Sequence, residues 1–93
     1  MSLDHLRKMI DLTNQEIILL LSKRMTIAKE IAKIKNELNL PVHAPEREKI
    51  QMESLREFAE KNGLSPDVIE EMFTVFVSYT KRECDETRCV SGD

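Results

Sequence analysis

The chain is poor in residues that interrupt regular structure, with two glycines and three prolines in 93 positions. It also has one tyrosine, three phenylalanines and no tryptophan. A sheet sandwich needs frequent turns and β-favouring side chains, so this composition argues for helices. No apolar run approaches the length of about 18 residues that a membrane span requires. The first residues, MSLDHLRKMID, lack the apolar core of a secretory leader, which makes the cytoplasm the expected compartment. Cys84 and Cys89 stand in a C-x4-C spacing with no second Cys/His pair, so neither a zinc site nor a disulfide framework is expected. No triad, Gly-rich loop or other cofactor motif is present, and no cofactor or metal is expected. A nucleic-acid partner is excluded on similar grounds. The formal charge is −3, and no basic stripe with interleaved aromatics occurs.

What is abundant is charge, at 33% of residues, arranged around apolar stripes of helical period. From Leu3 to Leu38 no Pro or Gly intervenes. Leu3, Leu6, Ile10, Ile17, Leu20, Leu21, Ile27, Ile31, Ile34 and Leu38 recur at spacings of three and four. A helix of that length spans roughly 50 Å, more than one small domain can cover, so a second copy is expected along it. The segment Asn39 to Ala44 breaks the pattern. Pro45 then suits a first helical position, with Ala44 as a poor N-cap and Asn62-Gly63 as a stop. Within that second helix Ile50, Met52, Leu55, Phe58 and Ala59 are expected to face inward. Ser65-Pro66 opens a third helix with Ile69, Met72, Phe73, Phe76 and Val77 on its apolar side, reaching Glu86. The residues from Thr87 to Asp93 are expected to form a frayed tail of a single domain spanning residues 1–93. The architecture expected is all-α, three helices per protomer with a long first one, in a homodimer. His5 and His43 are expected to face solvent.

The informative feature is where cations fall in the first helix. The column Leu3, Ile10, Ile17, Arg24, Ile31, Leu38 is aliphatic except for Arg24, and the next column has Arg7 and Lys35 at its ends. Charge beside a buried seam costs several kcal/mol, on the order of the penalty for an unpaired ion, unless something compensates it. Two readings follow from the residues alone. Arg24 either reaches solvent or a carboxylate on another helix, or it faces a sheltered pocket whose missing anion is a ligand. Arg24 and Lys35 lie about three turns and roughly 16 Å apart on nearly one face, close enough to share a ligand. Arg7 lies about 25 Å from Arg24 and can only serve a site on another subunit.

The run Leu6-Arg7-x2-Ile10, then Lys23-Arg24, Ala32-Lys33-x-Lys35, Pro41-Val42 and Pro45-Glu46-Arg47-Glu48 resembles the all-helical chorismate mutases. The similarity covers residues 3–84. It implies an interlocked dimer that rearranges chorismate to prephenate in aromatic amino-acid biosynthesis, without a cofactor. By position, Arg24 would clamp a substrate carboxylate, Lys35 would bind the other carboxylate and the ether oxygen, and Arg7 would reach in from the partner. Glu48 would accept a hydrogen bond from the ring hydroxyl, Arg47 would line the pocket, and Thr80 would lie near the ring carboxylate. Two positions depart from the family pattern. Ala44 stands where Asp is frequent, keeping the backbone N–H but not the side-chain cap. Cys84 stands where Gln usually donates to the ether oxygen, and a thiol is a weak donor. If Cys84 acts as a neutral donor, a decline near pH 8–9 is expected, the ordinary thiol range being about 8.5. Other readings on the same scaffold are an isochorismate pyruvate-lyase, a mutase for an amino-substituted chorismate, or a non-catalytic helical dimerisation or regulatory module. The Ala44-to-Arg47 stretch leans toward the lyases, Glu48 toward the mutases and Cys84 toward the non-catalytic module.

Overall fold

The computed structural model of the protein describes residues 2–41 and 44–91, with residues 86–91 described by their backbone alone. Its elements are three helices: α1 (Leu3–Glu37), α2 (Pro45–Lys61) and α3 (Pro66–Ser91). Among the described residues there is no strand. Val42 and His43 lie outside the described residues.

Each boundary has a local cause. At the start of α1 the Ser2 hydroxyl accepts from the His5 backbone N–H at 3.1 Å. At its end, Asn39 adopts φ 58°, the Leu40 N–H donates to the Lys35 carbonyl at 2.7 Å, and the Asn39 N–H donates to the Asn36 carbonyl at 3.2 Å. This paired arrangement satisfies two carbonyls that the last turn would otherwise leave open. The same closure ends α2, with Gly63 at φ 73°. There the Leu64 N–H donates to Ala59 at 2.9 Å and the Gly63 N–H donates to Glu60 at 3.1 Å. Ala44 precedes α2 without any side-chain cap bond, as its methyl group dictates. Ser65 caps α3, accepting from the Val68 N–H at 3.3 Å. The third helix continues to Ser91, past the Glu86 end and into the tail expected to fray. No Pro or Gly stands between Thr87 and Ser91 to interrupt its hydrogen-bond ladder.

The packing is lopsided. Among the described residues α3 lies against both α2 and α1, while α1 and α2 do not pack against each other. Arg56 ties α2 to α3 by donating to Asp67 at 2.8 Å and to Glu70 at 2.9 Å. Those two carboxylates raise the guanidinium pKa further, Asp67 more than Glu70. Lys29 and Glu83 approach to 3.7 Å between α1 and α3. The residues buried within this one chain are small: Ala32, Ala59, Thr80 and Cys84. Ile50, Phe58 and Met72, expected inward, are 56%, 68% and 59% exposed. Their faces turn away from the α2–α3 and α1–α3 seams, so nothing among the described residues covers them. Residues 3–20 of α1 are exposed throughout, including Leu3, Ile10, Ile17 and Leu20 of the expected stripe. The molecule measures 55 × 27 × 16 Å, a long rod with a small bundle at one end.

Candidate active site

Because α1 and α2 are held apart by their shared contact with α3, a cleft opens where the three helices converge. It encloses about 400 Å³, within the usual range for a small-molecule site of roughly 300–1,000 Å³. From α1 it receives Arg24, Ile31 and Lys35, about two turns and then about one turn apart along one face. The first turn of α2 supplies Arg47 and Glu48, with Ala44 just before it. From α3 come Val77, Thr80, Lys81 and Cys84, spaced as neighbours on one side of a helix. Seven of the expected site residues, Arg24, Lys35, Ala44, Arg47, Glu48, Thr80 and Cys84, therefore line one cavity. Arg7 does not line it and is exposed on the outlying part of α1.

Arg24 is half-buried, and its guanidinium carbon sits 5.9 Å from the centroid of the Phe73 ring and 5.6 Å from that of Phe76. Two aromatic faces on α3 thus replace water on one side of the cation. Phe76 is itself braced edge-on by Tyr79 at 5.8 Å between centroids. Among the described residues no carboxylate forms an ion pair with Arg24. Of the two readings that the sequence left open, the carboxylate partner on another helix is not what the fold provides. The guanidinium lines the cleft without a described carboxylate partner.

The α3 wall is polar but constrained. Thr80 is buried, lines the cavity, and its hydroxyl donates to the Phe76 carbonyl at 2.9 Å. Cys84 is 4% exposed, and burial is the main cause that pushes its thiol pKa up; Asp85 and Glu83 push the same way, against Lys29. The side chain is thus a neutral thiol near pH 7, a weak donor and no nucleophile.

Sequence reasoning missed Lys81. Its ammonium lies 3.0 Å from each carboxylate oxygen of Glu48, joining α3 to the first turn of α2 beside the cavity. Gln51, one turn after Glu48, also lines the cleft and was not singled out. A signal for Lys81 existed: it follows Val77 by four positions, the spacing by which a cation enters an otherwise apolar face. Among the described residues no group of three or more His, Cys, Asp or Glu could hold a metal ion. None of the described helices is long and apolar enough to cross a membrane.

Among the described lining residues, Arg24, Lys35, Arg47 and Lys81 stand against the carboxylate of Glu48, which makes the cleft cationic. Three helices converging on such a pocket define an all-helical domain with a cationic cleft. The chain belongs to the chorismate mutase type II family, whose model matches residues 6–83. It is 30% identical over 79 residues to the chorismate mutase of Methanocaldococcus jannaschii, covering 85% of this chain and 80% of that protein. It is 38% identical over 76 residues to the T-protein of Haemophilus influenzae, covering 82% of this chain and 20% of that protein. A bifunctional chorismate mutase/prephenate dehydratase of Aquifex aeolicus is 51% identical over 47 residues, half of this chain and 13% of its own length. The chain thus spans most of the archaeal relative and about a fifth of the T-protein.

Proposed function

We propose that the protein converts chorismate to prephenate, as an interlocked homodimer with two equivalent sites, and serves aromatic amino-acid biosynthesis in the cytoplasm. The observation that carries this reading is the half-buried Arg24, stacked on two rings and free of a described carboxylate, in one cleft with Lys35. Two fixed cations at the ends of a sheltered slot suit a flexible dicarboxylate. A [3,3] rearrangement asks for no base, nucleophile or metal. It asks that the substrate be folded into its reactive conformer and that charge growing on the breaking ether oxygen be stabilised.

In this mechanism Arg24 grips one carboxylate, and Lys35 holds the other while donating to the ether oxygen. Arg47 closes the mouth, Glu48 accepts from the ring hydroxyl, and Thr80 and Cys84 shape the α3 wall. Arg7 completes the carboxylate clamp of the opposite subunit. The exposed apolar stripe of α1 supports the dimer: Leu3, Ile10, Ile17 and Leu20 are between 47% and 64% exposed in a single chain. Burying such a stripe on a second antiparallel copy removes the largest unfavourable surface and carries Arg7 toward the other cleft. The experiment is chorismate loss and prephenate appearance with purified protein, run beside pyruvate release from isochorismate. Turnover of isochorismate with none of chorismate would replace the mutase reading by the lyase reading, and inertness toward both would leave a scaffold.

A further inference from the structure

Lys81 belongs to the cavity and pairs with Glu48, but has no part in the roles assigned above. Both Glu48 oxygens lie 3.0 Å from the Lys81 ammonium nitrogen, so the carboxylate holds the ammonium symmetrically. Both side chains are a little over one third exposed, and both line the main cleft and the smaller one beside it. The pair is therefore a partition with open faces, not a sealed salt bridge. An ammonium has three N–H donors and no acceptor, and a carboxylate has several lone pairs and no donor. With two donor directions spent on Glu48, Lys81 keeps one for the cavity, and Glu48 keeps lone pairs for it.

We infer that the Lys81–Glu48 pair is a specificity device that accepts a hydroxyl substituent on the substrate ring and rejects an amino substituent. The inference rests on the mutase reading of the cleft, in which Glu48 meets the ring hydroxyl. A hydroxyl matches the pair on both sides, donating its hydrogen to Glu48 while its oxygen accepts from Lys81. An aliphatic amine is protonated near neutral pH, so it can only donate. It would satisfy Glu48 but press a positive charge against the Lys81 ammonium. Without Lys81 the lone carboxylate would favour the cationic substituent. Lys81 thus reverses the preference that Glu48 would impose by itself, a repulsive element added against the wrong ligand.

The test compares two molecules in one assay: chorismate as substrate, and its analogue with an amino group in place of the ring hydroxyl as competitor. The quantity read is the analogue's Ki divided by the KM for chorismate. In the unmodified protein this ratio is expected well above one. Lys81→Met removes the charge at similar length and should lower the ratio about tenfold or more, whereas Lys81→Arg should keep it. Lys81→Gln, neutral but polar, guards against a packing artefact and should also lower the ratio. A structural brace alone would change stability and kcat without moving this ratio. A ratio unchanged or raised in both Lys81→Met and Lys81→Gln, or a ratio near one in the unmodified protein, would overturn the inference and leave the mutase reading standing. Failure of the unmodified protein to turn over chorismate would remove both.

Discussion

Arg24 shows how one side chain can be stabilised and left available at once. Phe73 and Phe76 supply the cation with ring faces, while it lines the cleft. Arg24→Ala is expected to lower kcat/KM for chorismate by roughly 100- to 1,000-fold, the usual cost of removing one fixed donor from a reacting site, with helical content unchanged by circular dichroism. Cys84 gives two further expectations. If its position normally carries a stronger donor, Cys84→Gln raises kcat/KM, and an equal or lower value would show that the position does not face the ether oxygen. The second concerns pH. Burial raises the folded thiol pKa above its ordinary value, so the folded state holds its proton where the unfolded chain releases it. The associated stability is complete below the unfolded value of about 8.5 and is lost as pH climbs through the higher folded value. Urea unfolding across that alkaline range should show falling stability that Cys84→Ala flattens. Any decline in activity due to this thiol moves above the pH 8–9 range that an ordinary cysteine would set.

Among the elements, what was legible in the sequence is what local chemistry encodes. Pro45, Asn62-Gly63 and Ser65-Pro66 place the helix ends because each acts through its own backbone or hydroxyl. The left-handed Asn39 was harder to read, since asparagine tolerates that conformation without requiring it. The unassisted start of α2 invites a test: Ala44→Ser should stabilise the protein by about 0.5–2 kcal/mol in urea titration, supplying the missing cap bond. The basic side of the cleft was legible because Arg24 interrupts an aliphatic column within one helix. Lys81 enters the apolar face of α3 in a similar way, but its pairing with Glu48 was not legible, because which turn of α2 lies opposite is stated by no period within α3. Ile50, Phe58 and Met72 show the same limit: their spacing is that of core residues, yet whether anything covers them depends on packing between helices.

At the scale of the whole molecule, the outlying end of α1 gives the proposed dimer a sharp test. Arg7→Ala and Arg24→Ala proteins should each be nearly inactive. After unfolding and refolding together in equal amounts, half of the dimers should be mixed. Each mixed dimer contains one site with both arginines intact, so about a quarter of the original activity should return. No recovery would mean that Arg7 does not cross between subunits. The separation of α1 from α2 carries a further consequence. A bound dianion would join these two helices directly, a keystone in an arch whose described helix packing rests on α3. Occupancy and melting temperature should therefore rise together, by about 2.7 kcal/mol of added stability when the ligand stands at a hundred times its Kd. Such a protein would be sturdiest when its pathway is flowing and most exposed to proteolysis when starved of substrate.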